Sequence, residues 1–518
     1  MIKPILTILT ASVLTACGGG GGGETTSTPT PTPPVVEQPE VDPYILKSLV
    51  IEDPKAYRPF TDTTTEACSE PVLQFAIPVD LNGDQYDDFI LHYWCGNPTT
   101  EAEYKSATPD RVIAQISDND GNYTVATSEV FGAEYVQMGG MSRKYRAGDI
   151  NGDGYDDFAF AMNWEDGRPD IEGENNVGAQ PAMLLSAPKE DGLVQYRVKN
   201  IGERSWGHGV AIVKNEDGTR DVAFSGYIEP TKQVFRYTPD GFVDVSAAYE
   251  GTYDWTTHGE MLDTNGVTDF IAANIGYGAS GLIVLDKNGN EFTEVGRYNQ
   301  EVKFDVNFNG YKAPVISVTV QENGEPVERL GIGGPFYTMC KMPKFSEEVG
   351  NVLVANLSTT QLVDGSPIVK NGNYPEMGQT ETVNYLLFFE YDETGLRQIQ
   401  NPLVGEKTDV NYNFIYCEDV NNDGLTDVVT SPFSRGYNRS RMEEDGRPDV
   451  YLNNGAGQLE LQDLSYLPGY PGDATMQSTR GKLEDVNNDG IKDLMLFGDN
   501  TANGAGDIQI HLLKDVIQ

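Results

Sequence analysis

A nine-residue acidic segment occurs four times in this chain, and its repetition constrains the fold more than any other feature. The copies begin at Asp80, Asp149, Asp419 and Asp485, and an apolar, β-prone stretch follows each one. Each copy reads Asp-x-Asn-x-Asp-Gly-x-x-Asp, except that Gln85 replaces the glycine in the first. A segment repeated at a long period indicates one supersecondary unit that is copied along the chain and packs against its neighbours.

The conserved spacing of this segment places oxygen donors where a calcium ion can use them. Ca²⁺ takes about six to eight hard oxygen ligands, and positions one, three and five of a tight loop converge on one point. Glycine at position six permits the turn, position seven supplies a backbone carbonyl, and the aspartate at position nine closes the shell. About four calcium sites are therefore predicted, with the ligand sets Asp80, Asn82, Asp84, Tyr86 (carbonyl) and Asp88; Asp149, Asn151, Asp153, Tyr155 (carbonyl) and Asp157; Asp419, Asn421, Asp423, Leu425 (carbonyl) and Asp427; and Asp485, Asn487, Asp489, Ile491 (carbonyl) and Asp493.

An EF-hand shares the first six positions of this loop, but the later positions exclude it. An EF-hand needs a bidentate glutamate at position twelve and a helix on either side. Position twelve is Leu91, Phe160, Thr430 or Leu496 in the four copies, and β-prone residues follow. We therefore expect each loop to connect two strands.

With these loops, the chain resembles the FG-GAP/VCBS repeat family, whose β-propeller repeats also occur in integrin α-chains. The resemblance covers most of residues 70–515 and implies an all-β fold, a β-propeller of four-stranded antiparallel blades. The strong copies lie 69 residues apart (80 to 149) and 66 apart (419 to 485), which favours seven blades over residues 44–518, with eight as the alternative. A solenoid of the same repeats is the other architecture considered. We expect residues 44–52 to supply the missing outer strand of the last blade and so close the ring.

Three weaker copies occupy the middle of the chain. They cover residues 213–221, 261–269 and 305–313, and each lacks one acidic ligand: Val213 and Met261 stand at position one, and Ala313 stands at position nine. We interpret them as blades that bind calcium weakly or not at all.

The N-terminus predicts export and a lipid anchor. Lys3 precedes a short apolar run, as in a secretory signal peptide spanning residues 1–16. The run ends in Leu14-Thr15-Ala16-Cys17, which resembles a bacterial lipobox and implies lipidation of Cys17; an ordinary signal peptide with a chance cysteine is the alternative. Residues 17–43 form a linker rich in Gly, Thr and Pro. These features predict an outer-membrane lipoprotein, periplasmic or surface-exposed, that meets the membrane through its lipid alone.

Four cysteines remain once Cys17 is assigned to the lipid. An even number in an exported chain indicates two disulfides, and three connectivities are open. We favour Cys68–Cys95 and Cys340–Cys417 over the other pairings and over free buried thiols.

Composition excludes several functions. The chain has 36 Lys and Arg against 79 Asp and Glu, a net charge of −43, which opposes binding to nucleic acid. It has 4 histidines, which leaves little material for histidine-based catalysis. No Gly-x-Ser-x-Gly, Walker or His-Glu-x-x-His motif is found, so no catalytic residue is assigned.

These observations favour a calcium-binding, membrane-anchored recognition module that binds a protein or a glycan at the cell envelope. Two alternatives use the same ring. One is a carbohydrate-active enzyme of the polysaccharide-lyase kind, and the other is a scaffold subunit for envelope assembly. The sequence favours a binding protein over an enzyme.

Overall fold

The structure is a computed structural model of the chain. It describes residues 48–49 and 71–511, apart from gaps at 96–109, 118–122, 134–135, 164–178, 188–191, 206, 227–229, 231, 250–259, 265–266, 276–280, 289–290, 309–310, 323, 335, 344, 347–348, 350, 363–367, 372–373, 378–379, 401, 406–410, 434–448, 463–478, 486–491 and 501–504. The predicted signal peptide, the linker, Cys17 and Cys68 lie outside the described residues.

The described chain is built from β-sheets whose strands pair antiparallel with one exception in the largest sheet, and four antiparallel blades come first. The strand β1 covers Ser48–Leu49. The first blade consists of β2 (Pro71–Val79), β3 (Asp88–Cys95), β4 (Asp110–Ser117) and β5 (Tyr123–Val125). The second consists of β6 (Met141–Gly148), β7 (Asp157–Asn163), β8 (Ala182–Ala187) and β9 (Gln195–Asn200). The third consists of β10 (Gly207–Lys214), β11 (Arg220–Gly226), β12 (Lys232–Thr238) and β13 (Gly241–Asp244). The fourth consists of β14 (Glu260–Thr264), β15 (Val267–Ile275), β16 (Gly281–Asn288) and β17 (Glu291–Asn299).

A larger sheet and two further blades complete the described chain. The ten-stranded sheet contains β18 (Val302–Phe308), β19 (Tyr311–Glu322), β20 (Glu325–Ile332), β21 (Phe336–Met342), β22 (Val352–Leu362), β23 (Ile368–Asn371), β24 (Tyr374–Met377), β25 (Thr380–Asp392), β26 (Gly395–Gln398) and β27 (Leu403–Val404). The penultimate blade contains β28 (Asn411–Glu418), β29 (Asp427–Phe433), β30 (Val450–Asn453) and β31 (Leu459–Leu461). The closing blade contains β32 (Thr479–Glu484), β33 (Asp493–Asn500) and β34 (Ala505–His511), together with β1. The described helices are α1 (Thr127–Phe131) and a 3₁₀ turn (Ser246–Tyr249).

The second strand of a blade is buried on both faces. Phe89, Ile90 and Leu91 are consecutive in β3, and each is 0 % exposed. Side chains alternate between the faces of a strand, so a continuous apolar run needs cover on both sides. Neighbouring blades supply that cover, and the apolar residues that follow each acidic loop are therefore explained by packing between blades.

The blades are arranged as a β-propeller, as predicted. First strands of successive blades contact each other, as β2 with β6 and β6 with β10, and β2 also contacts β33 of the closing blade. A solenoid would leave its first and last repeats apart, so these contacts exclude that alternative. Ser48 and Leu49 pair with Gln509 and Ile508, which makes β1 the outer strand of the closing blade. Ring closure by the N-terminal strand is thus confirmed.

The ten-stranded sheet departs from the predicted blade. Strands β21, β22, β25 and β26 follow one another as in a blade, but β22 extends further and pairs with β20 through Gly331–Gln361 and Ile332–Thr360. This pairing joins β18–β20 to the same sheet. The described strands form seven sheets, six of them four-stranded. The blade number itself stays a prediction, because the ten-stranded sheet does not follow the repeat.

The predicted Cys340–Cys417 disulfide is confirmed. It joins β21 of the ten-stranded sheet to β28 of the penultimate blade, with the two Cα atoms 5.6 Å apart. The backbone N–H of Ile415 also donates to Thr338 Oγ1 at 3.3 Å across the same boundary. Cys95 lies at the end of β3, but its predicted partner Cys68 falls outside the described residues, so that pair stays a prediction.

Removing the disulfide should lower the free energy of unfolding. The bond closes a loop with a sequence separation of 77 residues, and a cross-link of that span stabilises by about 2–4 kcal/mol, mainly by restricting the unfolded chain. We expect C340A/C417A to unfold at lower urea than the native chain, with unchanged β-sheet content by circular dichroism. An unchanged urea midpoint would show that the disulfide does not stabilise the contact between β21 and β28.

Candidate metal-binding loops

The structure places three of the predicted loops at the same point of their blades. Residues 80–88, 149–157 and 419–427 each connect the first strand of a blade to the second. In the fourth loop, residues 486–491 lie outside the described part, which includes Asn487, Asp489 and Ile491. Its last residue, Asp493, is 0 % exposed at the start of β33.

Two positions of each loop adopt the left-handed backbone conformation. Position six has a positive φ in all three loops: Gln85 at 73°, Gly154 at 92° and Gly424 at 85°. Position four does as well, at Gly83, Gly152 and Asn422. The sequence analysis assigned this requirement to position six and missed position four, although Gly or Asn there is the ordinary signal for it. Gln85 adopts a conformation that glycine would take with less strain.

The aspartate at position one organises the turn. In the first loop, Asp80 Oδ1 accepts the N–H of Gly83 at 2.6 Å and Asp80 Oδ2 accepts the N–H of Gln85 at 2.9 Å. Asp149 accepts from Gly152 and Gly154 in the same way. The side chains at positions three and five bond to each other, with Asn82 Nδ2 3.0 Å from Asp84 Oδ2. The same 3.0 Å bond recurs in the second and third of these loops.

The aspartate at position nine has a role that the sequence analysis did not predict. Asp88 is 0 % exposed; its Oδ2 accepts the N–H of Leu81 at 2.9 Å, and its Oδ1 accepts the N–H of Ser117 at 2.7 Å. Leu81 is the second residue of the loop, and Ser117 belongs to the third strand. Asp157 bonds in the same way to Ile150 and Ser186, and Asp427 to Val420 and Asn453. This carboxylate therefore ties the loop to the third strand of the blade.

Burial makes these ninth-position carboxylates hard to ionise. Burial, helped by the charges of Asp84 and Asp80 and opposed by the backbone donors, raises the pKa of Asp88 from 3.8 to about 6. Burial likewise raises the pKa of Asp427 to about 6, with Asp423 and Asp419 acting in the same direction. Burial also raises the pKa of Asp157. Negative charge is thus crowded in each of these loops, a condition that a bound cation relieves.

The residue types in the loops are those that calcium binds. In the described loops, however, their carboxylates accept hydrogen bonds from backbone N–H groups and do not converge on a common point. Aspartate, asparagine and backbone carbonyl oxygens are the hard ligands that Ca²⁺ takes. In the part of the chain that the structure describes, no three Asp, Glu, His or Cys side chains lie close enough to hold a metal ion. The loops therefore bring the predicted residues together in sequence and turn geometry, and metal binding stays a prediction.

An arginine neutralises the corresponding aspartate in the third blade. Asp221, at position nine of the weak copy 213–221, is 0 % exposed and pairs with Arg236 of β12. Arg236 Nε and Nη2 donate to its two oxygens at 2.6 and 2.7 Å. Tyr249 Oη and Asn215 Nδ2 also donate to it, at 2.5 and 3.1 Å. A side-chain cation thus compensates this aspartate, whereas in the strong loops the third strand contributes the backbone N–H of Ser117, Ser186 or Asn453.

The other two weak copies form tight hairpins. Asp263 pairs with Thr268 in the β14–β15 hairpin. In the β18–β19 hairpin, Val306 pairs with Ala313, and Lys312 Nζ lies 2.8 Å from Asp305 Oδ2. Ladder pairing runs through both segments. These segments therefore differ in backbone pairing from the nine-residue loops, a difference that the sequence analysis did not predict, and their weak or absent calcium binding stays a prediction.

Removing the guanidinium should leave Asp221 as a buried, under-compensated charge. Loss of one partner of a buried ion pair costs about 3 kcal/mol or more. We expect Arg236→Met to lower the free energy of unfolding by that amount in a denaturant titration, and Asp221→Asn added to it to recover part of the loss. Arg397→Met is the matched control, since the Arg397 side chain is 72 % exposed and its pair with Glu390 should contribute about 1 kcal/mol or less. Equal effects of Arg236→Met and Arg397→Met would contradict this interpretation.

No helix in the described part of the chain is long and apolar enough to span a membrane.

Comparison with known proteins identifies the repeat. A family model described as FG-GAP-like repeat matches residues 419–496, which contain two of the acidic loops. Integrin alpha-4 of Xenopus laevis is 29 % identical over 142 residues, which cover 27 % of this chain and 13 % of the integrin. The crystal structure of the polysaccharide lyase Uly1 aligns over 84 % of this chain and 90 % of its own, at 11 % identity and a TM-score of 0.36, a likeness too distant to support an inference. The predicted resemblance is confirmed over residues 419–496, where the chain is similar to the FG-GAP-like repeat.

Proposed function

We propose that the protein is a calcium-binding recognition module that is anchored to the outer membrane through Cys17 and binds a protein or glycan at the cell envelope. The observation that carries the proposal is the acidic loop that recurs with one hydrogen-bonding pattern in three blades. Positions one, five and nine of these loops are aspartates, and the charges at positions one and five raise the pKa of the ninth-position carboxylate at Asp88 and Asp427. A divalent cation is the simplest means of compensating such a cluster.

Calcium would act first on stability. Extracellular calcium modules bind with Kd of about 10⁻⁴–10⁻³ M, so millimolar calcium adds roughly 0.4–1.4 kcal/mol for each site. The residues proposed to hold it are the four predicted ligand sets beginning at Asp80, Asp149, Asp419 and Asp485. The third blade needs no calcium at Asp221, because Arg236 already pairs with that carboxylate.

The architecture supports a role in recognition. Rigid blades hold the connecting loops in fixed positions, and loops on a rigid scaffold are the usual place for binding residues. The net charge of −43 favours partners that are neutral or basic over polyanions.

Calcium should change how stability depends on pH. The folded-state pKa of Asp88 and Asp427 is about 6 against an ordinary 3.8, so protonation stabilises the fold below about pH 4 and this contribution is lost as the pH rises through about 6. In EDTA, calorimetry should show a melting temperature that falls over this range. Millimolar calcium should raise it by a few degrees near pH 7, because the ion binds the ionised carboxylates.

A matched variant separates the loops from the rest of the acidic surface. In EDTA, the melting temperature of D88N/D427N should fall less with rising pH than that of the native chain. Calcium should also raise the melting temperature of this variant less. Glu393→Gln/Asp240→Asn, at exposed turn positions, should leave both unchanged. Coincident melting curves in EDTA and calcium at neutral pH would contradict calcium binding.

Recognition is tested by capture from envelope extract. The immobilised chain should retain a protein or glycan in calcium and release it in EDTA, because removing the ion would leave the loop carboxylates to repel one another. A retained glycan or protein identifies the class of partner. An empty eluate under both conditions, together with shortened polysaccharide in the extract, would replace the binding function with an enzymatic one.

A further inference from the structure

A groove lies where the last strand of the fourth blade meets the ten-stranded sheet. Its volume is about 640 Å³, within the usual range for small-molecule sites. We call it the β17–β19 groove. Its lining includes Tyr298, Asn299, Ser317, Thr319, Gln398 and Gln400.

Close approach of two strands sets the position of this groove. A Cβ added to Gly296 of β17 would lie 2.3 Å from Leu396 Cβ of β26, closer than two side chains can come. Glycine therefore allows β17 and β26 to pack directly together. The N–H of Ser317 donates to the carbonyl of Glu301 at 3.3 Å, which ties β19 to the segment after β17. The walls are thus held by backbone contacts.

One wall carries an aromatic ring in a fixed position. Tyr298 is half-buried and packs edge-on against Phe389 and Phe336, with ring centroids 5.1 and 6.1 Å apart. A tyrosine fixed in this way offers apolar surface at little cost in side-chain entropy.

Apart from Glu301, the polar groups of the groove are uncharged, and of these Ser317 Oγ already donates to Glu328 Oε1 at 2.6 Å. Asn299 and Thr319 are exposed, Gln400 is half-buried, and these side chains make no hydrogen bond to the described part of the protein. Gln398 Nε2 donates to the Gln400 carbonyl at 3.0 Å, which orients that amide along the groove. The one carboxylate of the lining, Glu301, is neutralised by Lys303 Nζ at 2.8 Å.

We propose that the β17–β19 groove binds a neutral oligosaccharide, which specifies the glycan arm of the recognition function proposed above. Amides and hydroxyls each donate and accept, as do sugar hydroxyls, and a tyrosine ring covers the C–H face of a pyranose. No excess positive charge lines the groove to hold a uronate, and the charge of −43 repels acidic polysaccharides.

The test is calorimetric titration of the full chain with neutral glucan, mannan and galactan hexasaccharides, with oligogalacturonate as the acidic probe. We expect at least one neutral hexasaccharide to bind and oligogalacturonate not to bind. Thr319→Val with Gln400→Leu should weaken binding about tenfold by removing two hydrogen bonds, without lowering the melting temperature. Thr124→Val, at an exposed threonine of the first blade, is the control and should bind as the native chain does.

Three results would overturn the proposal. They are no binding of any neutral hexasaccharide, binding that the Thr319→Val/Gln400→Leu variant leaves unchanged, and tighter binding of oligogalacturonate. Calcium-dependent capture of an envelope partner by that same variant would leave the recognition function standing while the groove proposal fails, so the two failures are distinguishable.

Discussion

The buried carboxylate at the ninth position of the acidic loop is the interaction on which each strong blade depends. Asp88 lies at the start of the second strand. Its carboxylate accepts one hydrogen bond from Leu81 of the loop and one from Ser117 of the third strand, and so holds the three segments together. A buried carboxylate costs free energy unless donors or a cation satisfy it. Two N–H groups lower that cost, and the pKa of about 6 shows that they do not remove it.

The chain resolves this electrostatic problem in two ways. In the third blade, Arg236 crosses from β12 and forms a two-bond pair with Asp221. In the described strong loops, the third strand offers the aspartate a backbone N–H and no cationic side chain, and two further aspartates precede it in the loop. If the strong loops bind calcium as proposed, the ion and the arginine are alternative ways to compensate a buried aspartate. The weak copy, which has Val213 instead of aspartate at position one, keeps its buried Asp221 because Arg236 pairs with it.

The sequence predicted those features whose signals are local. The acidic loops follow from their spacing, and the closing strand near residues 44–52 follows from the strand that the last unit lacks. The Cys340–Cys417 pair was the favoured one of three connectivities, and the structure contains it and the closing strand. The ten-stranded sheet could not be predicted in this way. The sequence of residues 305–313 predicts a weak loop, but Asp305 to Phe308 pair with Tyr311 to Pro314 as adjacent antiparallel strands. The pairing of Gly331 with Gln361 joins strands that are far apart in sequence. The roles of Arg236 and of position nine depend on the register of the third strand, which no local pattern fixes.

The central claim is that the acidic loops bind calcium, and the most direct test is to count the ions. Equilibrium dialysis of the native chain against millimolar calcium, followed by metal analysis, should give about four ions for each chain. The count should fall by about one when the aspartates at positions one and five of a single strong loop become asparagine, and it should not change for the same substitutions at Asp217 and Asp221 in the third blade. A native chain that retains no calcium would contradict the account.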